Sequence, residues 1–451
     1  MTARITFHGG AGSVTGANFL LDTGAQKFLV DCGTHERENI CDPRNHDPFP
    51  YDVASIDALF VTHAHQDHIG RIPKLMREGF RGAIYSTPET KELSDIMFRD
   101  ALSIMERDAE MSGCGILYEE KDVDAALARW HTHAYRAPFQ AGDTSVEFLD
   151  AGHILGSAMV KLSRADRTII FTGDLGNSPE PLLNDTESPA GAHYLVMESV
   201  YGDRAHEGRE ERRDVLRAAI EDARTRGGTL LVPSFSLERT QILLFEIHQM
   251  IVEGVMEPIP MYLDAPLAER VSDVYRRHTE SLNPAARAAF ERGDALSFPH
   301  LTEIHTANES RHIHRKPDPK VIIAGAGMSN GGRIRAHEKA YLPDPNASVL
   351  FTGYQAPGSL GRRIQEGAKH ADIDGERVAV RARISSLTGY SGHKDRDGLI
   401  DFAAGAEKTL ERVFVAMGET GASLFLAQRI RDFLGLDARV PTAGETVEIA
   451  W

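Results

Sequence analysis

Six consecutive residues, His63-Ala64-His65-Gln66-Asp67-His68, place three imidazoles and a carboxylate where an apolar run gives way to a helical pattern. Residues 56–62 read as a buried strand and 69–76 open an amphipathic helix, so the cluster is expected on a strand-to-helix turn. His63 and His65 are two apart; in extended backbone their rings leave the same side and can grip one metal ion. Asp67 and His68 follow where the chain turns and face a second. A lone histidine is usually a satisfied core or surface residue, an explanation that fails for a run this dense in ligand-type side chains. Two more ligand types stand near strand ends downstream: His153 in Asp150-Ala151-Gly152-His153 and Asp174 in Gly173-Asp174-Leu175-Gly176, beside glycines that let backbone approach closely. Imidazoles with one shared carboxylate suit a pair of zinc ions about 3.5–4 Å apart, and a water held between them is a hydroxide near neutral pH. Such a nucleophile needs neither serine nor cysteine.

The elements that must carry these residues are legible from apolar patterning. Residues 1–35 alternate apolar runs, at 18–21 and 27–30, with glycine-rich turns, as hairpin-connected strands do, and Asp31 ends the second run as a candidate either to support a ligand or to belong to the site itself. Residues 88–130 are expected to be mainly helical, with apolar positions at helical spacing over 89–105 and 123–130; strands return at 146–149, 159–162 and 168–171. A helical layer on sheet follows. From about residue 205, helices at 209–226 and 240–252 alternate with single apolar strands at 229–232, 261–263 and 320–323, the pattern of a parallel-sheet α/β unit. The charged stretch 207–213 reads as a solvated helix face.

At 451 residues, 41% hydrophobic and 26% charged, the chain has the size and composition of a soluble protein with two or three domains, or one with an insertion. Its three cysteines, Cys32, Cys41 and Cys114, are too few and scattered for a disulfide framework or a zinc knuckle. No signal peptide or membrane-spanning apolar run is visible, so a cytoplasmic enzyme is the expectation. The net charge of −16 argues against coating nucleic acid by bulk electrostatics, though not against a nuclease whose positive charge is local and partly metallic.

Taken in order, Asp31, the 63–68 cluster, His153 and Asp174 resemble the motif series of the metallo-β-lactamase fold. Met197-Glu198-Ser199-Val200-Tyr201-Gly202-Asp203-Arg204 is similar to the first motif of the β-CASP nucleases, the group that includes the mRNA 3′-end cleavage and polyadenylation endonuclease, and Gly389-Tyr390-Ser391-Gly392-His393 resembles the second. Ala324 to Arg333 resembles a glycine-rich segment of that group. The resemblance spans nearly the whole chain and implies an αββα metallo-β-lactamase sandwich formed by both chain ends (1–204 and 369–451), with a parallel-sheet α/β β-CASP domain (205–368) inserted as a cap and substrate in the cleft between them.

Carried over, the resemblance gives the first zinc His63, His65 and His153, and the second Asp67 and His68, with Asp174 bridging and Asp31 orienting the cluster. It implies a bridging hydroxide attacking phosphorus, His393 protonating the departing 3′ oxygen, and Glu198 keeping His393 protonated. Single-stranded RNA is the implied substrate, cut to a 5′ phosphate and a 3′ hydroxyl; DNA is an alternative, and a homodimer is admitted. A capping or ion-pair glutamate is the plainer alternative for Glu198. For 325–333, with Ser329 and Arg333, a phosphate cradle and a tight strand-to-helix connection remain equal readings, and Arg362 in Gly358-Ser359-Leu360-Gly361-Arg362-Arg363 invites the same pair.

Two positions depart from the RNA-cutting members. Met417, in Val415-Ala416-Met417-Gly418-Glu419, stands where they carry a histidine ligand to the second zinc, and Ala326 stands where they tend to have serine. A thioether is a poor partner for a hydroxide-bearing zinc, so Met417 is expected to pack against the site and the second zinc to be held less tightly. Two alternatives follow, a DNA-directed β-CASP nuclease and a weakly active RNA-binding protein. A hydrolase of small thioesters or lactones is disfavoured by the inserted region, Glu198 and His393.

Overall fold

The computed structural model describes residues 2–35, 42–112, 115–206, 208, 211–356, 358–387 and 389–451; Cys41 and Cys114, and Glu207, Arg209 and Glu210 of the charged stretch, lie outside them. The chain divides into two compact units, Met1–Ala205 with Gly392–Trp451, and His206–Ser391.

Among the described residues, the first unit holds two seven-stranded sheets. One is ordered Thr446–Ala450, Thr2–Gly9, Asn18–Asp22, Lys27–Val30, Ala58–Phe60, Ala83–Ser86 and Trp130–Thr132; the other is Asp437–Arg439, Arg412–Val415, Tyr194–Met197, Arg167–Phe171, Ala158–Arg164, Thr144–Asp150 and Phe139–Ala141. Phe7, Phe19, Phe28 and Phe60 from the first sheet share one buried cluster with Phe148, Phe171 and Phe414 from the second, so the sheets pack face to face. Each such ring stabilises the fold by about 1.5–3 kcal/mol relative to exposure. The last strand pairs antiparallel with the first, Thr2 opposite Ala450, so both chain ends build one sheet. Helices Arg396–Ala404 and Thr420–Leu434 bury Leu399, Phe402, Leu426 and Ile430 on the second sheet, against Leu195, Val413 and Val415. On the first sheet's side lie the helices Ile72–Arg77, Pro88–Ser112 and Glu120–Ala128. This is the αββα sandwich.

The second unit is built on a six-stranded sheet, ordered Leu301–Glu303, Met261–Asp264, Lys320–Ala324, Thr229–Pro233, Ser348–Phe351 and Arg383–Ser386, with every pairing parallel. Thr229–Pro233 and Lys320–Ala324 are buried at every position, which is why they read as uninterrupted apolar runs: crossover helices cover both faces of a parallel sheet.

Three expectations change. Trp130 opens a strand rather than closing a helix; the helix stops at Ala128, and Trp130 pairs with Ile84 while its indole N–H donates to Ser86 Oγ at 2.8 Å. The second compact unit runs on to Ser391, past the expected residue 368. The hairpin His370–Ile373 with Glu376–Ala379 sends Ala371, Ile373 and Val378 into the core of the parallel-sheet unit, and Arg383–Ser386 is that sheet's edge strand. Arg212, read as part of a solvated face, is buried and pairs with Glu246 at 3.2 Å. No helix among the described residues is long and apolar enough to cross a membrane.

Candidate metal centre

The ligand-bearing turns leave adjacent strand ends of the sandwich, and Asp31 ties two of them together. It follows the strand Lys27–Val30 in the left-handed region (φ 59°), which aspartate tolerates better than most residues, and is fully buried. Its Oδ1 accepts the Thr62 N–H at 2.8 Å; its Oδ2 accepts the Thr62 hydroxyl at 2.8 Å and lies 2.7 Å from His68 Nδ1. The Cys32 N–H donates to the His68 carbonyl at 2.8 Å. Gly33 is a glycine because a Cβ there would overlap the Asp67 carbonyl, and Gly176 because one would overlap the Gly152 carbonyl beside His153.

These bonds choose the histidine tautomers. The Gly392 carbonyl can only accept, so His153 Nδ1, 2.8 Å away, carries the proton and Nε2 is bare. His68 Nδ1 likewise donates to Asp31, which turns its Nε2 toward Asp174 and Asp67. The Thr62 hydroxyl gives its proton to Asp31, so His63 Nδ1, 3.0 Å from that oxygen, donates to it and also frees Nε2. Bare nitrogens then converge: His63 Nε2 and His153 Nε2 lie 3.1 and 3.2 Å from His65 Nδ1. Those are close to the edges, roughly 3.3 Å, of a tetrahedron whose nitrogens sit 2.0–2.1 Å from a central metal.

Asp174 completes the arrangement. Its Oδ2 lies 3.4 Å from His63 Nε2 and 3.6 Å from His153 Nε2, and its Oδ1 lies 3.4 Å from His68 Nε2, which is itself 3.8 Å from Asp67 Oδ2. One carboxylate therefore faces two groups able to hold a metal ion, His63–His65–His153–Asp174 and Asp67–His68–Asp174. Among the described residues, His68 Nε2 and Asp174 Oδ1 are buried with no hydrogen-bond partner, a state that is costly unless a cation is their intended partner. The residues fit a metal.

Electrostatics agree. Burial, reinforced by neighbouring imidazoles, holds His63, His65 and His153 well below the usual histidine range, so they are neutral as ligation requires. His68 moves the other way: burial opposes its charge, but Asp174, Asp31 and Asp67 outweigh it and draw a proton onto the ring. That is the negative potential a divalent cation would answer. Burial pushes the Asp67 carboxyl up to about 6.

A third group shares Asp174. His393 Nδ1 lies 3.2 Å from Glu198 Oε1 and 3.9 Å from Asp174 Oδ2. Glu198 is fully buried at the end of Tyr194–Met197, and its Oε1 also accepts the Leu175 N–H at 2.6 Å. Burial alone would lower His393, yet the carboxylates of Glu198, Asp174 and Asp67 raise it to about 9.

All residues expected at the metal centre thus meet in one unit, and those expected to bind substrate belong to the other. Ser329 is buried, its hydroxyl given to Glu338; Arg333 binds Asp264 and the carbonyls of Ile304 and His305; Arg362 pairs with Glu366. For Ser329 and Arg333 the tight-connection reading is the better supported, since their polar groups knit the turn to its own unit. Met417 lies in the inter-sheet core, with its sulfur in the space a Gly10 Cβ would take. Two contributors escaped the sequence reading. Thr62 looked like the polar end of a strand, and Gly392 acts through its carbonyl, which no side-chain pattern announces.

Comparisons with known proteins agree with this geometry. Residues 240–364 match the Beta-Casp domain, residues 377–441 a Zn-dependent metallo-hydrolase RNA specificity domain, and residues 6–198 the anti-Pycsar protein Apyc1. Ribonuclease TTHA0252 of Thermus thermophilus is 36% identical over 449 residues, covering 99% of this chain and 100% of that protein. Transcription termination factor FttA of Methanosarcina mazei is 31% identical over 465 residues, 99% of this chain and 71% of that protein. A crystal structure of a protein of unknown function from Enterococcus faecalis superimposes with a TM-score of 0.59 at 14% identity over 100% of both chains, which shows a shared fold. With a full-length ribonuclease relative and a matched β-CASP insertion, this chain belongs to the β-CASP family of metallo-β-lactamase-fold ribonucleases.

Proposed function

We propose that this chain is a zinc-dependent nuclease that hydrolyses phosphodiester bonds of single-stranded RNA and leaves a 5′ phosphate and a 3′ hydroxyl. The observation that carries the reading is the sharing of Asp174 by three groups: two able to hold a metal ion and the Glu198–His393 pair. Two zinc ions held by these residues would supply Lewis-acid activation of water and neutralise charge growing on the phosphate. His63, His65, His153 and Asp174 would hold one, and Asp67, His68 and Asp174 the other.

The chain's own residues then do three things. Asp31, Thr62 and the Gly392 carbonyl hold the ligand imidazoles in the tautomers that leave their metal-facing nitrogens bare. Glu198 holds His393 by Nδ1, so the imidazolium keeps its Nε2 proton for a departing 3′ oxygen. Asp174, linking the groups, keeps that donor in register with the bond to be broken.

The RNA reading is supported by the 36% identity with a ribonuclease over its whole length. Met417 favours a second reading, a DNA-directed or weakly catalytic nucleic-acid binder, because among the described residues the second group has Asp67, His68 and Asp174 as its side-chain donors. Three protein donors are the usual number in catalytic zinc sites, so we favour turnover. Matched RNA and DNA oligonucleotides, assayed with zinc, with manganese and with a chelator, separate the readings. RNA cut only when metal is present supports the proposal; binding without cutting at saturating metal supports the second.

A further inference from the structure

We propose that Phe235, with Tyr354 near it, is a stacking platform for one unpaired base of the RNA substrate, a specificity element inside the parallel-sheet unit. The inference rests on the nuclease reading above and names where that substrate would be gripped.

Phe235 follows Thr229–Pro233, and Tyr354 follows Ser348–Phe351, the neighbouring strand. Both lie at the carboxyl ends of parallel strands, the edge at which open α/β sheets receive ligands. Phe235 keeps 36% of its surface exposed and Tyr354 48%, in a unit whose other large aromatics are mostly buried.

The Phe235 ring is seated, not loose. A Cβ on Gly327 would come within 2.6 Å of it and one on Gly353 within 3.1 Å, so two glycine backbones form the bed on which it rests. Its carbonyl accepts the Thr240 N–H at 3.2 Å and the Thr240 hydroxyl at 2.7 Å, which pins the residue to the start of helix Arg239–Val252. The Gln355 side-chain amide bridges the two glycines: its Nε2 donates to the Gly327 carbonyl at 2.9 Å and to the Gly353 carbonyl at 3.3 Å. An exposed ring held rigidly on both flanks loses little entropy when something stacks on it.

A base fits the surroundings better than an apolar protein side chain. The ring rests on the backbone of Gly327 and Gly353, and its chain neighbours are the polar Ser234 and Ser236, whereas an apolar patch is what marks a protein interface. The next helix, Leu360–Gln365, is tied to the same glycine-rich turn by the Gly361 N–H on the Met328 carbonyl at 3.1 Å and carries the exposed Arg363. A flat π face with a guanidinium in the adjoining segment suits a single-stranded polyanion.

The test uses the full chain with its metals. Phe235→Leu keeps an apolar side chain on the glycine bed but removes the π face. It should raise KM for a single-stranded RNA by about 5- to 150-fold, with the loss in KM rather than kcat, and Phe235→Tyr should restore it. RNA carrying 2-aminopurine should be quenched on binding the unaltered and Phe235→Tyr chains but not Phe235→Leu. An abasic scan of the RNA against the unaltered chain, which needs no variant to fold, should find one position where deleting the base raises KM to the same degree. Wild-type KM and quenching in Phe235→Leu, or a flat abasic scan, would overturn the stacking site while leaving the nuclease reading intact. An unaltered chain that neither binds nor cuts RNA would remove both.

Discussion

Asp31 and Glu198 act on the metal centre through other residues, and each supplies a separable prediction. In Asp31→Asn, the amide oxygen can still accept from Thr62, but an NH2 group facing the His68 Nδ1–H sets donor against donor. His68 would then move its proton to Nε2, the atom that must be bare, and metal affinity should fall about 10- to 100-fold in competition with a chelating dye. Unchanged affinity would mean His68 is not a ligand. For Glu198→Gln the sign follows from His393: raised to about 9, it is protonated below that pH and loses its proton as pH rises through it. Without the Glu198 carboxylate, burial weighs more heavily, so the alkaline limb of kcat should move to lower pH while metal content holds. A limb that stays in place would remove His393 from the proton transfer.

The elements matter because ligands separated by more than a hundred residues must meet within a few tenths of an ångström. Gly33 allows the loop after Lys27–Val30 to touch the backbone of Asp67, so Gly33→Ala cannot be housed without pushing that turn aside. We expect a loss of about 1–3 kcal/mol or more in stability and a larger proportional loss of metal, read by denaturant titration beside metal analysis. At this scale much was legible in the sequence. The apolar runs at 146–149 and 229–232 are strands because their burial writes itself into composition, and the 63–68 cluster reads as ligands because its side chains do. Trp130 was not legible: its spacing from Val123, Ala126 and Leu127 suits a helix, and only pairing with Ile84 decides for strand. For Ser329 and Arg333 a phosphate cradle and a tight connection read equally well, because nothing in the local sequence reveals their partners Glu338 and Asp264.

At the scale of the whole molecule, the candidate metal ligands and the Glu198–His393 pair all belong to the split unit, and the chain must leave and return to complete it at Gly392 and His393. Stripping the metal should therefore speed amide hydrogen exchange at 58–77 and 150–176 while leaving the strands Thr229–Pro233 and Lys320–Ala324 protected as before. The hairpin at 370–379 and the edge strand Arg383–Ser386 carry too few apolar residues for the sequence to declare which sheet they join. If a carboxylate-bridged pair of metal groups carries the nuclease chemistry of this chain, metal content measured together with a product map on one single-stranded RNA tests it most directly. Two zinc ions per chain, and fragments with 5′ phosphates and 3′ hydroxyls that vanish with chelator and return with zinc, are the predicted result. Cleavage that persists in a metal-free chain, or intact RNA in the presence of a fully loaded one, would contradict it.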